Sequence, residues 1–172
     1  MKLKTILFFS ILSILTSCSG QTKSNASNAD DLSKQIAKGD TVIKLGDHLW
    51  YVFQDKRNIY WFGSNGQGVY RYDGKTIVNF STKDGLANDT VRQIQEDRFG
   101  NIFISTFAGI SKFDGKTFTT LQPIKSKEWK LEPNDLWFYI LGKKNEGAYR
   151  YDGKNLYNLE FPKHYLHDEI YP

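Results

Sequence analysis

The stretch GVYRYDGKT at residues 68–76 returns as GISKFDGKT at 109–117 and again as GAYRYDGKN at 147–155. The starting points of the three copies lie 41 and 38 residues apart. A pattern that returns at a nearly constant spacing of this size indicates an array of similar supersecondary units. These three copies decide the fold class, and the rest of the chain is interpreted around them.

Each copy has the pattern of a four-stranded antiparallel meander, and the second copy is the clearest. Asp-Gly between two apolar runs predicts a tight hairpin, because glycine accepts a positive φ angle. Around Asp114-Gly115 this signal predicts strands at Gly109–Phe113 and Thr117–Leu121. The two strands before them are predicted at Val91–Glu96 and Ile102–Phe107.

The same pattern locates the strands of the other two copies. In the first copy the predicted strands are Leu49–Gln54, Ile59–Gly63, Gly68–Tyr72 and Thr76–Phe80. In the third copy they are Glu128–Leu131, Leu136–Leu141, Gly147–Tyr151 and Leu156–Phe161, with a turn at 132–135. The third copy fits least closely, because the connection at 142–146 is longer than its counterparts.

The second strands of the first two copies are apolar at consecutive positions, as in Ile59-Tyr60-Trp61-Phe62 and Ile102-Phe103-Ile104. A sheet with one solvated face would alternate, whereas a continuous run indicates that both faces are covered. Blades stacked around an axis cover one another in this way. We therefore predict an all-β fold of β-propeller blades at about 46–81, 91–121 and 125–161, within a partial propeller spanning 41–172. A β-sandwich of hairpins is the competing architecture, but it does not explain the repeat.

The number of blades predicts an incomplete or open propeller, because closed propellers have about four to eight blades. Three units leave hydrophobic sheet faces and edges open. We expect either an arc of a longer ring or an open arc that closes by self-association. Val42–Lys44 is a candidate outer strand that would fasten the last blade of a complete ring.

At these residues the chain resembles the two-component regulator propeller repeat family. That family combines an acidic-Gly turn, an aromatic strand, a Gly-rich link, a "GLYRYDG"-like strand and a "DGL" segment. The corresponding stretches here are WFGS at 61–64, TKDGLANDTV at 82–91 and DRFGNIFIST at 97–106. The match covers about residues 46–161. It departs from the family at Phe103, where Trp is preferred, and the second and third copies lack the "DGL" segment.

The resemblance implies a non-enzymatic module for ligand recognition or for scaffolding. Members of the family are similar to the periplasmic sensor portions of hybrid two-component systems, where the ring recognises carbohydrate-derived ligands. No kinase, DNA-binding segment or membrane span follows the repeats here, so we do not expect signalling by that route alone. We expect a glycan or an envelope protein as the partner, and no cofactor.

The N-terminal residues predict export and a lipid anchor. Two lysines and the apolar run Ile6–Leu15 form a secretory signal peptide over 1–17. This run is too short for a membrane span, which needs about 20 apolar residues. The sequence LTSC, ending at Cys18, resembles the bacterial lipobox, which implies cleavage before Cys18 and its diacylation. A plain signal peptide with an incidental cysteine is the alternative.

Cysteine content and composition support an envelope location. Cys18 is the only cysteine, so an internal disulfide is impossible, and lipidation would remove a free thiol from an oxidising compartment. The polar segment 18–40 is predicted to be a flexible linker between the anchor and the folded part. We therefore expect the protein in the cell envelope, anchored by lipid to the bacterial membrane.

Charge gives no sign of nucleic-acid binding. Removal of the signal peptide lowers the formal net charge from +4 to about +2, and an export signal also opposes such a partner. Basic residues recur in the third strand of each copy, and we expect them on solvated outer faces. They are Arg71, Lys112 and Arg150.

The sequence predicts neither a catalytic site nor a metal site. His164 and His167 stand beside two acidic residues, but no helical pattern aligns them, so a polar loop is the better interpretation. The aspartates that recur in the turns are explained by turn chemistry. Four aromatic residues could stack on sugars if exposed, but we expect them between the blades. They are Tyr60, Trp61, Phe62 and Trp137.

A binding site is expected where two kinds of connection open on the same face of the blades. These are the connections between the second and third strands and those between blades. Loops on a rigid scaffold commonly carry function, and the candidates there are Asn65, Gln67, Asn88, Asp89 and Phe107. The alternative is a propeller lyase or hydrolase that acts at the central funnel with a metal and a histidine. His48 is the one plausible histidine for that chemistry.

Overall fold

In the computed structural model, residues 36–141 and 146–160 are described, and they belong to one compact unit, Ser33–Pro172. The predicted signal peptide, Cys18, most of the predicted linker, and His164 and His167 lie outside the described residues. Within the described ranges, no helix is long and apolar enough to cross a membrane. The described residues form an all-β structure with one turn of 3-10 helix at Thr82–Asp84.

Sheet 1 is the first repeat with an additional strand. It contains β1 (Asp40–Val42), β2 (Leu49–Gln54), β3 (Tyr60–Ser64), β4 (Val69–Tyr72) and β5 (Ile77–Phe80). Strands β2 to β5 form the predicted antiparallel meander, and β1 pairs antiparallel with β5 at the outer edge.

The predicted role of Val42–Lys44 as the outer strand of the last blade is wrong. The segment that pairs is Asp40–Val42, and it completes the edge of sheet 1 itself. One hydrogen bond supports this position. The backbone N–H of Gly39, just before β1, donates at 3.0 Å to Oδ1 of Asp84, which follows β5.

Sheet 2 is the second repeat and contains only the predicted meander. Its strands are β6 (Val91–Glu96), β7 (Ile102–Thr106), β8 (Gly109–Phe113) and β9 (Phe118–Thr120). All neighbouring pairs are antiparallel. At the outer edge, Ile36 forms a bridge with Thr117, and the N–H of Ala37 donates to the carbonyl oxygen of Lys116 at 2.8 Å. The end of the segment predicted to be a linker therefore contacts this sheet.

Sheet 3 departs from the predicted meander. It contains β10 (Pro123–Ser126), β11 (Leu136–Ile140), β12 (Gly147–Tyr151) and β13 (Leu156–Leu159). Strands β11 to β13 are antiparallel as predicted, but the fourth strand, β10, pairs parallel with β13 at the opposite edge. The turn predicted at 132–135 is present, with the N–H of Asp135 donating to the carbonyl oxygen of Glu132 at 3.2 Å.

The predicted strand Glu128–Leu131 is wrong, because these residues form no strand. Residues 127–131, which we name the strap, instead lie against sheet 3. The ring of Trp129 stacks on Trp137 with centroids 6.3 Å apart. Three of the five strap residues are charged, a composition that disfavours an inner strand. The side-chain amide of Gln93 instead donates to the carbonyl oxygen of Trp137 on β11, at 3.2 Å.

In the Asp-Gly turns, the aspartate side chain accepts hydrogen bonds from the backbone of the turn, as predicted. Asp114 Oδ1 accepts the backbone N–H groups of Lys116 and Thr117 at 2.9 and 2.8 Å, and Gly115 has a φ angle of 95°. The same bonds recur at Asp73 and Asp152. The aspartate side chain replaces a backbone acceptor, which explains its recurrence without a catalytic role.

The three sheets pack in series through two apolar cores. Trp61, Val69 and Phe80 of sheet 1 pack with residues of sheet 2, namely Ile94, Ile102, Ile104, Phe113 and Phe118. Phe103 and Ile110 of sheet 2 pack with residues of sheet 3, namely Leu136, Phe138, Tyr149, Tyr151 and Leu156. Strand β7 is buried at all five positions, so both faces of sheet 2 are covered, as the continuous apolar run predicts.

A buried carboxylate holds the central tryptophan of the first core. Asp55 accepts hydrogen bonds from Trp61 Nε1 at 3.1 Å and from the backbone N–H groups of Arg57 and Ile59 at 2.9 and 3.0 Å. Burial by itself would raise the pKa of Asp55. These hydrogen bonds and the Arg57 guanidinium outweigh burial and hold the pKa below its ordinary value of 3.8.

Replacement of this carboxylate should destabilise the fold in a pH-dependent way. Asp55→Asn is expected to lower the free energy of unfolding by about 1–3 kcal/mol at pH 7, because a charged acceptor of several hydrogen bonds is lost. The pKa of Asp55 is lower in the folded state, so the carboxylate stabilises the protein above about pH 4. That stability is lost as the pH falls through the folded-state pKa. Urea unfolding should therefore give a smaller difference between wild type and variant at about pH 2; equal differences at both pH values would contradict the assignment.

Candidate functional site

The first strands of sheets 1 and 2 carry an irregularity at the same position. The pairing register between β2 and β3 shifts at Trp50, and the register between β6 and β7 shifts at Arg92. Each of these residues is the extra residue of its strand, which is the arrangement of a β-bulge. Bulges redirect side chains and are frequent beside functional sites. The two repeats therefore place Trp50 and Arg92 in equivalent, redirected positions.

Trp50, Arg92 and Phe107 meet on the surface, and we name them the aromatic–arginine cluster. The guanidinium carbon of Arg92 lies 4.7 Å from the ring centroid of Trp50 and 5.1 Å from that of Phe107. Such contacts are attractive because the faces of aromatic rings carry negative charge density. The indole N–H of Trp50 donates to the carbonyl oxygen of Val91, which fixes one ring. Both rings are nevertheless accessible, with exposed fractions of 45% for Trp50 and 40% for Phe107.

Arg92 has no acidic ion-pair partner in the part of the chain that the structure describes. Among the described residues, its guanidinium forms no ion pair and no hydrogen bond to another side chain. A guanidinium carries five N–H donors in a planar fork. These donors can therefore serve a ligand that accepts hydrogen bonds.

The two connections that were predicted to share a face do lie together. Asn65 and Thr90 form an isolated bridge. The N–H groups of Gly66 and Gly68 both donate to the carbonyl oxygen of Asp89, at 3.1 and 2.8 Å. The structure thus brings Asn65, Gln67, Asn88 and Asp89 to one end of sheets 1 and 2, the end at which β2 and β6 begin. Phe107, between β7 and β8, lies at the same end.

Three of the five predicted side chains hold the loops together. Asp89 accepts hydrogen bonds from the backbone N–H and the hydroxyl of Thr82 at 2.7 and 3.1 Å. Asn88 Oδ1 accepts the N–H of Thr90 at 2.9 Å, and Gln67 Oε1 accepts the hydroxyl of Tyr70 at 3.3 Å. These bonds are local and structural. Asn65 is exposed, and its side chain forms no hydrogen bond within the described ranges.

In sheets 1 and 2, a hydroxyl at equivalent positions shapes the connection that precedes the third strand. Ser64 Oγ donates to the carbonyl oxygen of Gly68 at 2.7 Å, and Thr106 Oγ1 donates to that of Gly109 at 2.9 Å. Gly68 has a φ angle of 78°, and a Cβ atom there would lie 2.1 Å from the carbonyl oxygen of Phe80. No other residue fits that position. This tight turn presents Asn65 at the surface, and its counterpart presents Phe107.

Sequence reasoning missed Trp50 and Arg92 as site residues. The pattern predicts a regular strand through Trp50, and a bulge has no strong signature in a single strand. One signal was available: alignment of the repeats places Trp50 and Arg92 at the same position, next to the predicted loops. Of the aromatic residues expected between the blades, Trp61 is fully buried, as predicted. Tyr60 is 39% exposed, so the prediction is wrong for this residue.

The expected solvated position of Arg150 is wrong. Arg150 is buried and forms an ion pair with Asp135 at 3.4 Å. Its guanidinium also donates to the carbonyl oxygen of Lys130 at 3.3 Å. The reason is the strap, which covers this face of sheet 3. Arg71 pairs with Asp73 at 3.5 Å and is partly exposed.

His48, the histidine of the alternative enzyme hypothesis, lies at the same end of sheet 1. It is exposed, and it adopts a positive φ angle of 58°. Its carbonyl oxygen accepts the N–H of Asn65 at 3.1 Å. Residues 36–141 and 146–160 contain no group of three His, Cys, Asp or Glu side chains that could hold a metal ion.

The free energy of unfolding should distinguish variants of the candidate residues that hold the loops from variants of those that are available to a ligand. Asp89→Ala is expected to lower the free energy of unfolding by about 1–3 kcal/mol, because two hydrogen bonds to Thr82 are lost. Asn65→Ala should change it by less than about 0.5 kcal/mol, as is usual for exposed sites. Urea unfolding of both variants measures this difference. Equal losses would show that the Asp89 carboxylate does not hold the loop.

Comparison with known proteins gives no family for this chain. No protein-family model matches it, and no curated protein matches it. The resemblance to two-component regulator propeller repeats therefore stays a prediction. Any function has to be argued from the residues at the end of the sheets where β2 and β6 begin.

Proposed function

We propose that this chain is a membrane-anchored, non-enzymatic recognition module of the propeller type. It would bind a glycan, or a glycan-bearing envelope component, at the end of sheets 1 and 2 where β2 and β6 begin. The observation that carries this proposal is the aromatic–arginine cluster, in which the guanidinium of Arg92 lies over the rings of both Trp50 and Phe107.

The chemistry of the cluster suits a ligand that is apolar on one face and polar at its edge. Sugar rings present C–H groups to an aromatic ring and hydroxyl groups to hydrogen-bond donors. Trp and Arg are also the residue types that most often dominate binding energy at recognition surfaces. Asn65, on the adjacent loop, adds an exposed amide that both donates and accepts hydrogen bonds.

The support beneath the cluster favours binding with little reorganisation. Trp50 and Arg92 belong to strands of two packed sheets. The neighbouring loops are joined by hydrogen bonds from the backbone N–H groups of Gly66 and Gly68 to the carbonyl oxygen of Asp89. Preorganised side chains lose less conformational entropy when a ligand binds. Rigid strands that carry short loops are a common scaffold for recognition.

The remaining parts of the proposal rest on the sequence and on the coarse architecture. The signal sequence and the lipobox-like residues before Cys18 favour lipid attachment at the cell envelope. The three β-sheets, packed in series through two apolar cores, are consistent with propeller blades. A modest formal charge and an export signal argue against nucleic acid as the partner.

A glycan array, followed by titration of each positive glycan, tests the proposal. Trp50→Ala and Phe107→Ala are each expected to weaken binding about tenfold or more, since a hot-spot truncation costs about 2 kcal/mol. Arg92→Ala should weaken it at least as much. Asn65→Ala should have a smaller effect, because one exposed amide is lost.

A matched control exists at the other end of sheet 2. Arg98 lies over the ring of Phe99, at 4.7 Å, and Phe99 is also exposed. Phe99→Ala and Arg98→Ala remove the same chemical groups outside the proposed site, so they should leave binding unchanged. Equal losses for both sets of variants would contradict the location. Absence of binding to glycans and to envelope proteins would contradict the function.

A further inference from the structure

Corresponding residues of the three sheets occupy corresponding faces. We name the face that packs on the following sheet the forward face, and the opposite face the backward face. Trp61 lies on the forward face of sheet 1, with its ring centroid 5.8 Å from that of Phe113 in sheet 2. Its counterpart Phe103 lies on the forward face of sheet 2, 4.7 Å from Tyr151 in sheet 3. The interface between sheets 1 and 2 is thus repeated between sheets 2 and 3.

On the backward face of sheet 1, no sheet formed by residues 36–141 and 146–160 covers the apolar side chains. In sheet 2, Ile94, Ile102 and Ile104 lie on the backward face and are fully buried against sheet 1. By pairing register, their counterparts in sheet 1 are Val52, Tyr60 and Phe62. Val52 has an exposed fraction of 62% and Tyr60 one of 39%. The ring of Tyr60 stacks on that of Phe62 with centroids 6.5 Å apart, which makes one continuous patch.

The forward face of sheet 3 repeats the residues that cover such a patch elsewhere. Trp137 corresponds to Trp61 and Phe103, and Leu159 corresponds to Phe80. Here the strap takes the place of a following sheet, with Trp129 stacked on Trp137. Outward from sheet 3, the strap exposes part of Trp129 and 87% of Leu131. This end of the described unit therefore also exposes apolar side chains, Trp129 and Leu131, among the charged residues of the strap.

We propose that the backward face of sheet 1 is an interface for a second copy of this chain, which presents the strap-covered end of sheet 3. The internal interfaces set the precedent, because each joins a forward face to a backward face. A contact between copies would therefore also join two different surfaces. Head-to-tail contacts of this kind build rings or filaments. Exposed apolar patches mark interaction sites in soluble domains.

Other occupants are less well supported by the described residues. A pairing of two copies through the same sheet 1 face would oppose Val52 to Val52, an arrangement with no precedent among the internal interfaces. Binding of an unrelated protein would not explain why an apolar residue, Val52, stands at the position that the buried Ile94 occupies in sheet 2. The proposal does not depend on ligand binding at the aromatic–arginine cluster, which lies at the end of the sheets and not on this face.

Site-specific photo-cross-linking in the bacterial envelope tests the interface. Benzoylphenylalanine replaces Val52 in the full chain, which is co-expressed with a second copy that carries a different tag. We expect a cross-linked species that contains both tags, with the linked peptide mapping to residues 127–141. The matched control places the same probe at Lys116, an exposed turn residue of sheet 2, and should give no link between copies.

A charge substitution tests whether apolar contact drives the association. With the probe moved to Leu131, Val52→Asp should lower the yield of cross-links between copies by about tenfold or more, because a carboxylate would be buried in an apolar contact. Lys116→Asp should leave the yield unchanged. Val52 is largely exposed within one copy, so urea unfolding of the Val52→Asp variant should match wild type.

Each contrary outcome overturns a defined part of the proposal. A link from position 52 to residues 49–80 of the second copy would overturn the head-to-tail arrangement. A link to a different protein would overturn the assignment to a second copy. No link at either probe position would overturn the interface.

Discussion

Burial of both faces of sheet 2 is the constraint on which the rest of the structure depends. Strand β7 is buried at every position, with Ile104 packed toward sheet 1 and Phe103 toward sheet 3. A two-sided apolar strand cannot form a stable one-sheet unit in water, because each exposed face would lose the free energy of apolar burial. Sheet 2 therefore requires an apolar cover on each face, and sheets 1 and 3 provide these two covers.

The same packing creates the candidate site. Trp50 belongs to sheet 1, whereas Arg92 and Phe107 belong to sheet 2. The contact of Trp50 with Arg92 therefore exists only because the two sheets are packed. The bulge at the start of β2 and that at the start of β6 turn Trp50 and Arg92 out of the strand alternation. A surface that spans two repeats is a natural place for function in a repeat fold, because neither repeat alone contains the site.

The third repeat shows how a repeat array can be modified at one end. The strap contains charged residues and one tryptophan. It does not form the inner strand of the other two repeats, and instead packs on sheet 3 with Trp129 stacked on Trp137. Arg150, which a solvated face would have left in water, is thereby buried and paired with Asp135. A buried ion pair of this kind is costly unless its hydrogen bonds are satisfied. The strap provides one of these hydrogen bonds, because the carbonyl oxygen of Lys130 accepts from the guanidinium of Arg150.

The sequence by itself determined the strands and turns of the first two repeats and the last three strands of the third, because these depend on local chemistry. Leu49–Gln54, Val91–Glu96 and Gly109–Phe113 begin and end where apolar patterning predicts, and the Asp-Gly pairs form the expected turns. It also predicted which end of the sheets carries the loops around Asn65 and Asp89. Only the tertiary structure decided the parallel pairing of β10, the strap, the burial of Arg150 and the meeting of Trp50 with Arg92 and Phe107. Each of these depends on contacts between residues distant in the chain, and one strand's pattern of side chains does not contain that information.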